Sequence, residues 1–297
     1  MKKIKDLQTL IDSNVLPKRL ALAVSQDAHS LEAVNKAFLA GLIDPVLVGS
    51  KVETLKIAQE LNLDFSGATF IDEIYPSKAV ETAVKLVNEK KADFLMKGNI
   101  PTPALLKAVL NKEWGLRTGN LLSHFALFET ENYHKLIAVT DVAMNIAPNL
   151  KDKIGIINNA VTFMYKLGIY LPKVAIIAAI ETVNENMQAT LDAAMLSIMN
   201  KRGQINDCVI DGPLAFDNAI SVESASHKKI KSEVAGDADL LIMPNIEAGN
   251  VLYKSLVWFA KAKVASVILG ASSPIVLTSR SDSEECKFDS ILLATRG

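Results

Sequence analysis

At 297 residues and 49% hydrophobic composition, the chain is long enough for one large domain or for two of roughly 150 residues, each with its own core. Thirty-two basic residues against thirty-three acidic ones leave a formal net charge of −1, so no overall field draws the chain to nucleic acid or to an anionic membrane. Cys208 and Cys286 stand far apart with no CxxC or Cys/His spacing, which argues against a disulfide framework or a zinc site. The start MKKIKDLQTLIDSN lacks a secretory apolar core, and no apolar run reaches the roughly 20 residues that span a bilayer. The expectation is a reduced, soluble, cytoplasmic protein with small-molecule partners.

Short apolar runs alternate with longer amphipathic ones, the signature of βα units around a parallel sheet. RLALAVS (19–25) reads as a strand and SLEAVNKAFLAG (30–41) as a helix closed by its glycine; PVLVG is a second strand, VETLKIAQELN a helix and ATFID a third strand. A helix capped by Ser77 follows, then the strand DFLMKGN and a helix opened by Thr102 as N-cap with Pro103 in its first turn. SHFALFE and HKLIAVTD, joined by a polar turn, read as an antiparallel hairpin. Ile154, Ile157, Val161 and Met164 recur at helical spacing, KVAIIAA is a strand, and a long helix over 184–202 carries a broad apolar face that belongs to packing. CVID, ADLLIMP and ASVILG are later strands, and SILLA lies in a C-terminal helix. No linker composition or internal repeat interrupts the chain.

There is no GxxxxGK[ST], GxGxxG, GxSxG or HExxH, so nucleoside-triphosphate, dinucleotide, serine-hydrolase and metalloprotease readings start weak. His124 lies in an apolar run and reads as a hydrogen-bonded core or interface residue; His29, His134 and His227 read as surface residues. What remains is a set of polar loops at strand ends: SQDAHS, MKGN, LRTGN, DGPLAFDNA, PNIEAGN and TSRSDS. In an α/β sheet the carboxyl ends of parallel strands meet helix N-termini, whose unpaired N–H groups favour anions. The stretch 238–283 is the richest, with Asn245, Glu247, Asn250, Ser279 and Arg280 in two such turns. Lys97 and Arg280 each follow a strand and precede a helix, so a phosphate-bearing ligand is the natural occupant.

The blocks MKGNIPTPALLKAVLNKEWGLRTGNLLSHFALFE, AIETVNENMQATLDAA, DGPLAFDNAIS, GDADLLIMPNIEAGNVLYKSL and PIVLTSRSDS, in that order, resemble the phosphate acetyl/butyryltransferase family and most of all its short phosphate butyryltransferase branch. The resemblance implies a reversible acyl transfer between CoA and phosphate, with both as substrates, no resident cofactor and no metal. It implies two α/β/α domains of the isocitrate/isopropylmalate dehydrogenase kind, an active site in the cleft between them, and a homodimer. On this chain the domains would be 1–143 with 273–297, and 144–272. The family's Ser-Arg pair corresponds to Ser279 and Arg280, and an arginine near the glycine turn to Arg117. The family aspartate corresponds to Asp289, which precedes SILLA, with Asp282 open as the alternative. Other readings are an acetyl-preferring enzyme of the same family, a metal- and NAD(P)-dependent dehydrogenase of the same fold using Asp211, Asp217 and Asp237, and a non-catalytic CoA sensor.

Overall fold

The structure, a computed structural model, describes residues 1–10, 16–278 and 282–297. A 3₁₀ turn at Ile4–Leu10 buries Ile4 and Leu7 ahead of the first strand. Then β1 (Lys18–Ala23), α1 (Ala28–Leu39), β2 (Ile43–Gly49), α2 (Lys51–Glu60), β3 (Thr69–Asp72), α3 (Pro76–Asn88), β4 (Phe94–Lys97) and α4 (Thr102–Val109) alternate as the apolar pattern predicts. β5 (Ser123–Glu129) and β6 (Ile137–Thr140) form the expected antiparallel hairpin. They are followed by α5 (Leu150–Lys166), β7 (Lys173–Ile177), α6 (Gln188–Lys201), β8 (Val209–Leu214), α7 (Phe216–Ile220) and α8 (Val222–His227). The chain closes with β9 (Leu240–Ile242), α9 (Ile246–Trp258), β10 (Lys263–Leu269), β11 (Ile275–Val276) and α10 (Glu284–Ala294).

Local details depart from the expected caps. Tyr75, not Ser77, precedes α3, because Pro76 occupies the first turn, where its missing N–H costs nothing. Thr102 likewise lies inside α4 with Pro101 before it. The long helix begins only at Gln188, since Thr190 Oγ1 bonds the Asn184 carbonyl and ties 184–187 into a turn. PNIEAGN is not a loop but the opening of α9, capped by Asn245.

The chain forms two compact units, Met1–Asp6 with Leu121–Val264, and Leu7–Asn120 with Ala265–Gly297. Their limits fall at 6/7, 120/121 and 264/265, whereas the resemblance led us to expect 143/144 and 272/273. Main-chain pairing explains the difference: β6 pairs with β9, which draws the hairpin to the later strands, while β11 pairs with β4, which draws the segment from 265 to the early ones.

In the unit built on the N-terminal strands, the order is β3-β2-β1-β4-β11-β10, parallel throughout except for β10 against β11. Leu20, Ala21, Leu22, Leu95 and Met96 are fully enclosed, as the continuous apolar runs of a parallel sheet require. The other unit orders its strands β5-β6-β9-β7-β8, with β5 alone antiparallel to its neighbour. One face of β5 meets α5 through Phe125 and Phe163, ring centroids 5.3 Å apart; the other meets α9 through Phe128 and Tyr253 at 5.4 Å. Helices therefore cover both faces of this sheet. Each unit is thus of the α/β class that the sequence predicts.

Candidate active site

In the N-terminal unit the carboxyl ends of β1, β2, β4 and β11 share one edge, and of the candidate residues Lys97 lies there. Asp27 caps α1 by accepting from the Ser30 N–H at 3.0 Å, and Ser50 caps α2. The chain leaves β1 at Val24 with φ of 61°, a left-handed conformation that is costly for a β-branched residue. A side chain at Gly98 would collide with the Val24 carbonyl, so only glycine lets β4 end against this turn. Lys97, the last residue of β4, is buried, and its Nζ donates to the carbonyls of Gly98 at 3.2 Å and Ile100 at 3.3 Å. Val276 of β11 pairs with Met96, a register that carries Leu277 level with Lys97 and leads into Thr278.

Ser279 and Arg280, the pair on which the sequence reading leans most, lie outside the described residues. Beyond them Ser283 caps α10 by accepting from the Cys286 N–H at 3.2 Å. Asp289 is buried on α10 and Asp282 is half-buried just before it. Burial above all, with Asp282 and Asp289 adding to it and Lys287 opposing, pushes the Cys286 thiol up to about 12. Asp282, Lys287 and Asp289 are therefore close neighbours around one inert thiol. Arg117 is exposed and bridges Ala271 in the turn before β11, where Thr118 Oγ1 also donates to the Gly270 carbonyl at 2.6 Å. Lys97 stands at the other end of β11.

The second unit holds the remaining candidates at the start of α9. Asn245 Oδ1 accepts from the Ala248 N–H at 3.0 Å, Asn250 Nδ2 donates to the Val142 carbonyl at 3.1 Å, and Glu247 is exposed. Asn245 and Asn250 are thus committed to holding α9 in place. Sequence reasoning passed over the residue that α9 crosses at Gly249. Asp141, buried at the end of β6, accepts through Oδ1 from the N–H groups of Ala143 at 2.9 Å and Met144 at 3.0 Å, and through Oδ2 from the main chain and side chain of Asn145. Four donors on one carboxylate shape the turn that α9 then crosses at Gly249. The β5–β6 register carries His124 opposite Asp141, and Tyr253 meets the His124 ring edge-on at 6.0 Å. Burial lowers the His124 pKa to about 4 against the opposing pull of Asp141, so the imidazole is neutral at pH 7. The ring is buried, as the apolar run predicts, and its Nδ1 has no partner among the described residues.

The aspartates of the dehydrogenase reading are engaged elsewhere. Asp237 is approached by Lys173, Lys135 and His134, whose hydrogen bonds outweigh burial and hold its carboxyl well below the usual range. Asp217 accepts from Ser224 Oγ at 2.5 Å, and Asp211 from the Gly212 N–H. Among the described residues no three His, Cys, Asp or Glu side chains converge as metal ligands. No helix is long and apolar enough to cross a membrane among the described residues.

Residues 71–295 match the family model described as phosphate acetyl/butaryl transferase. A phosphate butyryltransferase of Clostridium beijerinckii is 50% identical over 277 residues, covering 93% of this chain and 92% of that protein. A phosphate acetyltransferase of Thermotoga maritima is 46% identical, covering 93% and 94%. The crystal structure of a branched-chain phosphotransacylase from Enterococcus faecalis superposes with a TM-score of 0.85 at 35% identity, covering 94% of this chain and 98% of that one. Fold and sequence together define an α/β enzyme of the acyltransferase class. The chain belongs to the phosphate acetyl/butaryl transferase family. Its reaction is the reversible transfer of an acyl group between CoA and phosphate.

Proposed function

We propose that the acyl group is short, with butyryl or a branched analogue preferred, and that transfer is direct, within a ternary complex and without an acyl-enzyme. The observation that carries the butyryl preference is the 50% identity to a phosphate butyryltransferase over nearly the whole chain. The acetyl-named relative at 46% supports acetyl-CoA as a second substrate.

A thiol attacks only as thiolate, so a carboxylate within reach of the CoA sulfur acts as general base, a contribution of roughly 10² to 10⁴ in rate. Asp289 takes this role, supported by its burial on α10. The thiolate adds to the acyl phosphate carbonyl, and negative charge grows on that oxygen and on the departing phosphate. Arg280 meets the phosphate with its planar fork of donors and Ser279 supplies one more. Lys97 adds a buried ammonium at the strand-end edge. Arg117, Asn245, Glu247 and Asn250 serve substrate binding, the two asparagines by fixing the first turns of α9. CoA and phosphate are substrates, and this chemistry calls for no resident cofactor and no metal.

The protein is cytoplasmic and works as a homodimer in this reading. The dimer is supported by large apolar side chains left in water on α9 and just past it: Val251 is 65% exposed, Trp258 62% and Phe259 90%.

Release of free CoA, followed with a thiol reagent, tests the reading. Wild-type protein with butyryl-CoA and phosphate releases CoA faster than with acetyl-CoA. Arg280→Ala raises the phosphate requirement and cuts turnover; Asp289→Asn lowers turnover at least a hundredfold with little change in binding. If Asp282→Asn behaves that way instead, the base is misplaced, and silence with acetyl-, propionyl-, butyryl- and isobutyryl-CoA defeats the reading as a whole.

A further inference from the structure

The edge that holds Lys97 holds a second buried lysine, Lys287, and nothing in the mechanism above uses it. We propose that Lys287 is a positioning residue for phosphate: its ammonium steadies Thr278, the last described residue before Ser279 and Arg280, and offsets the carboxylates that crowd the start of α10. The inference rests on the phosphate acyltransfer assigned above.

Lys287 is 2% exposed and is the fourth residue of α10. That place is unfavourable for a lysine on two counts. The ammonium has given up its water, and the first turns of a helix carry the positive end of its dipole. A lysine at a helix start ordinarily reaches out into solvent. This one turns inward, where its Nζ lies 3.4 Å from Thr278 Oγ1, and Thr278 is itself buried.

The charge count around it supplies the reason. The stretch DSEECKFD carries Asp282, Glu284, Glu285 and Asp289 against Lys287 alone. Glu284 is drawn off by Lys36 at 3.2 Å, whereas Asp282 and Asp289 act on the same Cys286 thiol as Lys287 does. Without Lys287 a phosphate approaching this helix start would meet one buried cation fewer. With it, and with Lys97 level with Leu277 on the neighbouring strand, two ammonium groups flank the residues that lead into Ser279. An oxyanion can then be held beside the base.

Initial rates with phosphate varied at saturating butyryl-CoA, and melting curves with and without phosphate, test this on three variants. Lys287→Met keeps length and loses charge, Lys287→Arg keeps charge, and Thr278→Val keeps shape and loses the hydroxyl that Lys287 reaches. Lys287→Met raises the phosphate KM about tenfold or more, leaves the butyryl-CoA KM within about twofold, and loses the rise in melting temperature that phosphate gives the wild type. Lys287→Arg recovers most of both, and Thr278→Val raises the phosphate KM in the same direction. A wild-type phosphate KM in Lys287→Met overturns the inference, as does a Lys287→Arg as impaired as Lys287→Met. Should Lys287→Met not fold, an unchanged phosphate KM in Thr278→Val overturns it equally. A wild-type protein that releases no CoA would instead remove the acyltransfer reading on which the inference stands.

Discussion

His124 carries a hydrogen-bonding ring into a place where water cannot solvate its charge. Its folded pKa of about 4 lies below the ordinary value of 6.5, so between those pH values the unfolded chain binds a proton that the folded one refuses. The stability due to this group is complete above pH 6.5 and is lost as pH falls toward 4, by up to about 3 kcal/mol. Urea unfolding at pH 7 and at pH 4.5 therefore shows a smaller loss for His124→Phe than for the wild type; equal losses would refute the neutral, buried assignment. Residue chemistry of this kind was half legible in the sequence. An apolar run around His124 announced burial, but its missing Nδ1 partner depends on what Asp141 and Tyr253 do in three dimensions. Lys287 was illegible for a similar reason: in EECKFD it reads as a solvated helix lysine, and only the fold turns it inward.

At the scale of elements, α9 shows how a helix is placed by one missing side chain. A β-carbon on Gly249 would run into the Asp141 carbonyl and lie 3.1 Å from the Val142 Cα, both backbone atoms that cannot step aside. Helix propensity alone says that Gly249→Ala stabilises by about 1 kcal/mol. Overpacking says that it destabilises by about 1–3 kcal/mol, and the collision decides the sign. A lower denaturant midpoint at unchanged slope is the expected outcome, and a higher midpoint would show that α9 does not press on the Asp141 turn. The strands were legible because parallel strands are apolar on both faces. The start of α9 was not, because PNIEAGN combines a proline, two asparagines and a glycine that are usual in loops, and here Asn245 serves as a cap and Gly249 as a contact.

For the whole molecule, periodicity revealed α/β units but not their membership. That the C-terminal tail joins the N-terminal strands was expected from family resemblance alone, since pairing between β11 and β4 leaves no periodic mark on either segment. Substrate class came the same way: strand-end loops pointed to an anion, and the ordered blocks from MKGN to TSRSDS pointed to acyl transfer. The defining property of such an enzyme is that the acyl group reaches phosphate rather than water. Phosphorus NMR of a mixture of protein, butyryl-CoA and inorganic phosphate measures that directly. The account predicts an acyl phosphate resonance growing in step with free CoA and reverting when excess CoA is added; CoA released with inorganic phosphate left unchanged would identify a thioester hydrolase and contradict it.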